Sequence, residues 1–225
     1  AGACRAGTLY LTIDTGNMRP AEEIAQILNK HDVRATFFVA NEKTFRGDWT
    51  LDPSWAGYWR DRVAEGHVFG NHTWDHAYFR GDTADGRMRY VHLGGKTEVL
   101  DAAGVCAELG RVADRFTKLT GSKLAPIWRA PGGRTTPGSL AAARGCGYEH
   151  VHWADAGFLG DELPSDKYPN DKLLQRALAG LRDGDIMMMH LGIWSRKDPF
   201  WPMLDPLLTA LKSRGFCFAT LPRRA

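Results

Sequence analysis

The chain is 225 residues long, 44% hydrophobic and 24% charged, with 29 Lys and Arg against 26 Asp and Glu for a formal net charge of +3. That composition belongs to a folded globular protein and excludes wholesale disorder. The longest apolar runs are four residues, as at 186–189, where a membrane span needs about 20. The basic residues are scattered and form neither the stripe nor the motif of a nucleic-acid binder, so no nucleic-acid partner is expected.

The length suits a single domain over 1–225, since β/α barrels reach about 200–250 residues as one unit. Short apolar runs, β-branched, aromatic or Met-rich and bounded by polar residues or Gly, occur at 8–13, 35–40, 67–70, 125–128, 148–153, 185–189 and 216–220. Each has the character of a buried strand. Amphipathic stretches at helical spacing lie between them, at 20–31, 53–65, 96–119, 137–144, 171–181 and 202–214. Strand–helix alternation predicts an α/β fold with parallel strands, a (β/α) barrel of seven strands rather than eight, with an open doubly wound sheet as its competitor. Segments 77–95 and 155–170 read as long loops rich in Gly, Asp, Pro and aromatics, which in a compact fold tend to be substrate walls.

Five of the seven runs hand over to an ionisable residue at their C-terminal ends: Asp14, His72, Arg129, Asp155 and His190. In β/α folds that is the end where ligands and catalytic groups collect. His72 and His76 share an H-x-x-x-H spacing that brings two imidazoles onto one cation when the segment is helical or tightly turned. Thr73 stands where a metalloprotease H-E-x-x-H helix has Glu.

Leu11-Thr12-Ile13-Asp14-Thr15-Gly16 resembles the T-F-D-D-G motif of the polysaccharide deacetylase (NodB homology) family, carbohydrate esterase family 4. Gly70-Asn71-His72-Thr73-Trp74-Asp75-His76 is similar to its H-[ST]-x-x-H motif, and Arg129-Ala130-Pro131-Gly132-Gly133 to its R-x-P motif. Gly147-Tyr148, with Trp153-Ala154-Asp155, matches the fourth motif more loosely, and Met188-Met189-His190 matches the last. The five occur in family order. The resemblance implies a distorted seven-stranded barrel and removal of N-acetyl groups from N-acetylglucosamine-type units of a glycan polymer, peptidoglycan first and chitin-like polymers second. It further implies a divalent metal, zinc first, held by His72 and His76.

In that reading Asp14 is the general base and Arg129 holds it ionised. His190 protonates the leaving amine, and Asp155 orients His190, with Asp161 as the alternative. Pro131, Gly132, Trp153 and Met188 form the substrate slot, with a backbone N–H near Gly132 as oxyanion donor. Two positions depart from the family pattern. Thr15 replaces a metal-ligating Asp, so the metal is held more weakly, or Asp75 or Asp14 helps, or none is bound; losing that charge should also lower the Asp14 pKa. Gly132 replaces an aromatic, which implies a wider groove floor. Thr15 keeps open a glycan-binding pseudoenzyme, and an amidohydrolase for small non-sugar amides would share every catalytic residue.

Cys4, Cys106, Cys146 and Cys217 contain no C-x-x-C pair. Cys4 precedes the first run and Cys217 lies in the last, so barrel closure predicts a Cys4–Cys217 bridge. The start at Ala1-Gly2-Ala3-Cys4 has no initiator Met and reads as processed or trimmed. The expected location is periplasmic or secreted, with a lipid anchor on Cys4 as a further option.

Overall fold

A computed structural model describes residues 3–223, which leaves residues 1–2 and 224–225 outside it. All seven apolar runs become strands of one parallel sheet: β1 (Gly7–Asp14), β2 (Thr36–Val39), β3 (Val68–Asn71), β7 (Ile127–Trp128), β8 (Glu149–His150), β9 (Ile186–His190) and β10 (Phe216–Phe218). The order is β10-β1-β2-β3-β7-β8, and β9 also pairs with β1. β1 serves three partners because it is long. Gly7–Leu9 pairs with β10, Tyr10–Asp14 with β9, and Thr12–Asp14 with β2.

The sheet curls into the expected distorted barrel, but β8 and β9 are not paired as strands. The seam between them is crossed by Ala154 N–H donating to the Ile186 carbonyl (3.0 Å) and by an isolated bridge between Phe158 and Met188.

The central strands are buried on both faces, β2 at all four residues, as parallel strands covered by helices must be. The covering helices are α1 (Ala21–Lys30), α2 (Ala56–Ala64), α3 (Ala102–Thr120), α4 (Pro137–Gly145), α5 (Asn170–Gly180) and α6 (Leu204–Ser213). In α1 the buried residues Ala21, Ile24, Ala25 and Leu28 repeat at helical spacing, with Glu22 and Glu23 in the first turn. α4 begins with a capping box between Thr136 and Ser139, and Pro137 occupies its first position.

The segment 77–95 is not a loop. β4 (Tyr78–Asp82), β5 (Met88–Val91) and β6 (Thr97–Leu100) form a three-stranded antiparallel sheet. The expected helix at 96–119 therefore starts late, at Ala102, where the Asp101 side chain accepts from Gly104 N–H (2.7 Å). These strands are four or five residues long and bury only one side. Met88 and Tyr90 face inward while Arg89 between them is exposed, a period-2 signal too brief to outweigh the polar turn residues around it. Phe79, Met88 and Tyr90 pack with Val105, Leu109 and Trp128, which fixes the small sheet against α3 and β7.

The Cys4–Cys217 bridge is present and joins the chain before β1 to β10, with Cα atoms 5.2 Å apart. Its sulfur is thereby committed, which removes the thiol that a lipid anchor on Cys4 requires. A second bridge, Cys106–Cys146, ties α3 to the end of α4. Among the described residues no helix is long and apolar enough to cross a membrane.

Candidate active site

The C-terminal ends of β1, β3, β7 and β9 bring Asp14, His72, Arg129 and His190 together. Asp14 and His190 are register partners on adjacent strands. Asp14 is 3% exposed and Arg129 fully buried. Arg129 donates from one Nη to Asp14 Oδ1 (3.0 Å) and to Thr12 Oγ1 (2.7 Å), from Nε to the Val151 carbonyl (3.1 Å), and from its other Nη to the His152 carbonyl (3.1 Å). Its plane lies over Phe38, 4.3 Å from the ring centroid. A guanidinium so anchored is a fixed positive charge. Burial alone would raise the Asp14 pKa, but Arg129 first, then His72 and His190, outweigh it and hold the carboxyl below its ordinary value.

His72 and His76 converge through a tight turn rather than a helix. Thr73 and His76 adopt left-handed backbone angles (φ 68° and 52°), unusual for non-glycine residues and of the kind that collects at functional sites. The turn is held by Asn71 Oδ1 accepting from Thr73 N–H (3.1 Å) and Thr73 Oγ1 accepting from His76 N–H (3.1 Å). The two imidazole centroids are 4.8 Å apart. His72 Nδ1 donates to the Arg129 carbonyl (2.6 Å), which leaves the Nε2 lone pair free 3.7 Å from Asp14 Oδ2. Burial pushes the His72 pKa down to about 3 against the pull of Asp14, so its ring is neutral. A neutral imidazole whose other nitrogen is tied to a carbonyl is the tautomer a metal ligand needs, so the residues fit a divalent cation.

His190 is held by Asp161, not Asp155. Asp161 Oδ1 takes His190 Nδ1 (2.9 Å) and Oδ2 takes the His190 backbone N–H (2.6 Å). Burial lowers the His190 pKa, but Asp161 first and then Asp14 and Glu162 reverse that and raise it to about 10. Asp155 is exposed at the start of a 3-10 turn, Asp155–Gly157. Both carboxylates lie in the 155–170 segment, and only its path decides which one reaches the imidazole.

A cavity of about 610 Å³ opens over these groups, lined by Asp14, Thr15, Glu42, His72, His76, Gly132, Trp153, Met188 and His190. Tyr78 at the start of β4 and Leu93 beyond β5 come from the 77–95 segment; Phe158 and Leu163 come from 155–170, so both expected walls border it. Leu93 and Trp194 are exposed at 81% and 64%. Pro131 is buried and does not line the cavity; it opens the 3-10 turn Pro131–Gly133. Gly132 does not widen the floor. Its backbone is left-handed (φ 64°), and a Cβ there would meet Tyr78 Cε1 at 2.8 Å, so the Tyr78 ring fills the space.

Sequence reasoning passed over Glu42 as a site group. The signal for Glu42 was present, because it stands two residues beyond the run at 35–40, the one run before 216–220 to which no ionisable end was assigned. His67 and His150, given no role, are structural acceptors, taking backbone N–H bonds from Ala35 (3.0 Å) and Ala130 (2.9 Å).

Residues 2–151 match the sequence profile of the polysaccharide deacetylase family. The chain is 27% identical over 225 residues to peptidoglycan-N-acetylmuramic acid deacetylase PdaA of Bacillus subtilis, covering 98% of this chain and 72% of that protein. It is 28% identical over 227 residues to a chitooligosaccharide deacetylase of Bradyrhizobium, covering 96% and 90%. Among solved structures, a family 4 acetyl xylan esterase from Clostridium thermocellum in complex with a cobalt ion superposes with a TM-score of 0.74 at 22% identity, over 95% of this chain and 88% of that one. The chain belongs to the polysaccharide deacetylase family, carbohydrate esterase family 4, a family of hydrolases.

Proposed function

We propose that the protein is a metal-dependent N-deacetylase that hydrolyses acetamido groups of N-acetylglucosamine-containing polysaccharide, with bacterial peptidoglycan as the polymer. One observation carries this reading: a buried carboxylate clamped by Arg129 stands beside a neutral imidazole and on the same rung as a cationic one. Amide hydrolysis needs a base for water and an acid for the departing nitrogen, both at one carbonyl.

His72 and His76 would hold the cation, which when bound supplies Lewis acidity at the scissile carbonyl. Asp14 accepts a proton from the attacking water, and Arg129 keeps it ionised and aimed. His190, protonated through Asp161, donates from Nε2 to the leaving amine. Trp153, Met188 and Tyr78 bound the space for the acetyl group, and Trp194 and Leu93 at the rim offer apolar surface to sugar faces. Two disulfides support a periplasmic or secreted location, since such bridges persist in oxidising compartments.

The test is acetate release from peptidoglycan and N-acetylglucosamine oligomers with added Zn²⁺, using Asp14→Asn as the control. Release by wild type alone supports the proposal; equal release by both defeats it. A rate independent of sugar-chain length would favour a small-amide hydrolase. The neutral side chain of Thr15 favours a second reading, a glycan-binding pseudoenzyme, which predicts oligomer binding without acetate release from either protein.

A further inference from the structure

Thr15 stands where the family places a metal-binding carboxylate, and the surrounding side chains answer for that loss. The Thr15 hydroxyl accepts the Ala40 N–H (3.1 Å) and donates to Glu42 Oε2. One of its lone pairs and its proton are engaged within the protein, and its neutral oxygen is a weaker ligand than a carboxylate, so it is better suited to orient Glu42 than to bind the metal. Glu42 follows β2, its N–H fixed by Thr50 Oγ1 (2.9 Å) and its carbonyl accepting from Thr50 N–H (2.8 Å). The side chain is only 20% exposed and lines the same cavity as both histidines. With Oε2 taken by Thr15, Oε1 faces His76 Nδ1 at 3.9 Å. Two ligand atoms on one zinc at bond lengths of 2.0–2.2 Å lie about 3.3 Å apart at the tetrahedral angle. The ligand atoms of Glu42, His72 and His76 do not all lie within 4.8 Å of one another, so the three must close together to share an ion.

We infer that Glu42, oriented by Thr15, supplies the third protein ligand of the metal site, with His72 and His76, in place of the carboxylate missing at position 15. The inference rests on the metal-dependent reading above. The ligand charge is moved from the end of β1 to the chain beyond β2, and the set becomes two imidazoles and one carboxylate, the donor chemistry of catalytic zinc with a coordination position left open. Asp75 is no rival. It is exposed, lies outside the cavity lining, and clusters with His92 and Glu98, which are themselves paired at 2.5 Å. Asp14 has Oδ1 on Arg129 and Oδ2 3.7 Å from His72 Nε2, which makes it the rival carboxylate that Asp14→Asn tests. Thr15 is a positioning residue, acting through Glu42.

The deciding measurement is calorimetric Zn²⁺ titration of the apo protein, with Co²⁺ visible absorption as a second readout, on wild type, Glu42→Gln, Asp14→Asn and His76→Ala, each checked for a native unfolding transition. The expected result is a loss of at least about 10- to 100-fold in affinity for E42Q and H76A, with little change for D14N. Adding Thr15→Asp to E42Q should restore Zn²⁺ affinity to within about tenfold of wild type, which also answers any folding defect in E42Q. Thr15→Val should shift the Co²⁺ bands. Loss in H76A with none in E42Q overturns the inference and leaves the metal site standing. Loss in D14N in place of E42Q assigns the third ligand to Asp14 and likewise overturns it. Unchanged affinity in all variants overturns the metal-dependent reading as well.

Discussion

Asp14 and His190 occupy the same rung of the parallel β1–β9 pair, one held by Arg129 and the other by Asp161. Opposite charges are thereby stationed at the mouth of the barrel by two separate ion pairs. The arrangement separates their pKa values, the carboxyl below its usual range and the imidazole raised to about 10. Such a separation is what the proposed roles of Asp14 as base and His190 as acid require.

The rate should therefore be flat across neutral pH. kcat/KM is expected to fall as pH drops through the lowered Asp14 value and again as pH rises towards about 10, where His190 loses its proton. Asp161→Asn removes the main group raising His190, so the alkaline limb should move towards 6.5 by at least about one unit. An alkaline limb that stays in place in D161N assigns it to another group.

Acid stability follows His67 and His150. Burial lowers both to about 4 from an unfolded value of 6.5, and each accepts a backbone N–H that its protonated form could not accept. Between pH 4 and 6.5 the unfolded chain binds more protons, so their stabilisation is complete above 6.5 and lost as pH falls through that window. His190 runs the other way: its contribution is full below 6.5 and is lost as pH rises through about 10. Urea midpoints of the apo protein should accordingly peak near pH 6.5, and His67→Gln should flatten the acid side.

The two disulfides should differ in weight. Cys4–Cys217 closes 213 residues and Cys106–Cys146 closes 40. On the chain-entropy account the longer loop stabilises more, with each bridge worth about 2–5 kcal/mol. Denaturant unfolding of the double serine variants should show the larger loss for positions 4 and 217, and reduction should lower Tm.

Gly132→Ala tests the turn that receives the Tyr78 ring. A Cβ there meets both a left-handed backbone and Tyr78 Cε1. The backbone strain is expected to cost about 1–3 kcal/mol, read as a lower urea midpoint, and the displaced wall should raise KM for oligomers. Adding Tyr78→Ala should relieve the clash but not the strain.

Asp14, Arg129, His72, His76 and His190 were legible in the chain itself, because each stands at or just beyond the end of an apolar run and β/α connectivity sends all those ends to one side. Strand count and parallel sense followed from the same alternation. The choice of Asp161 over Asp155 for His190, the packing of Tyr78 against Gly132 and the contact of Glu42 with Thr15 were not legible. These side chains lie in segments whose course no periodicity records, and they reach the cavity only when 155–170 folds over β9, β4 turns back along the barrel, and the chain beyond β2 bends to Thr50. Local pattern sets which residues stand at strand ends; long-range packing selects which side chains from the connecting segments meet them.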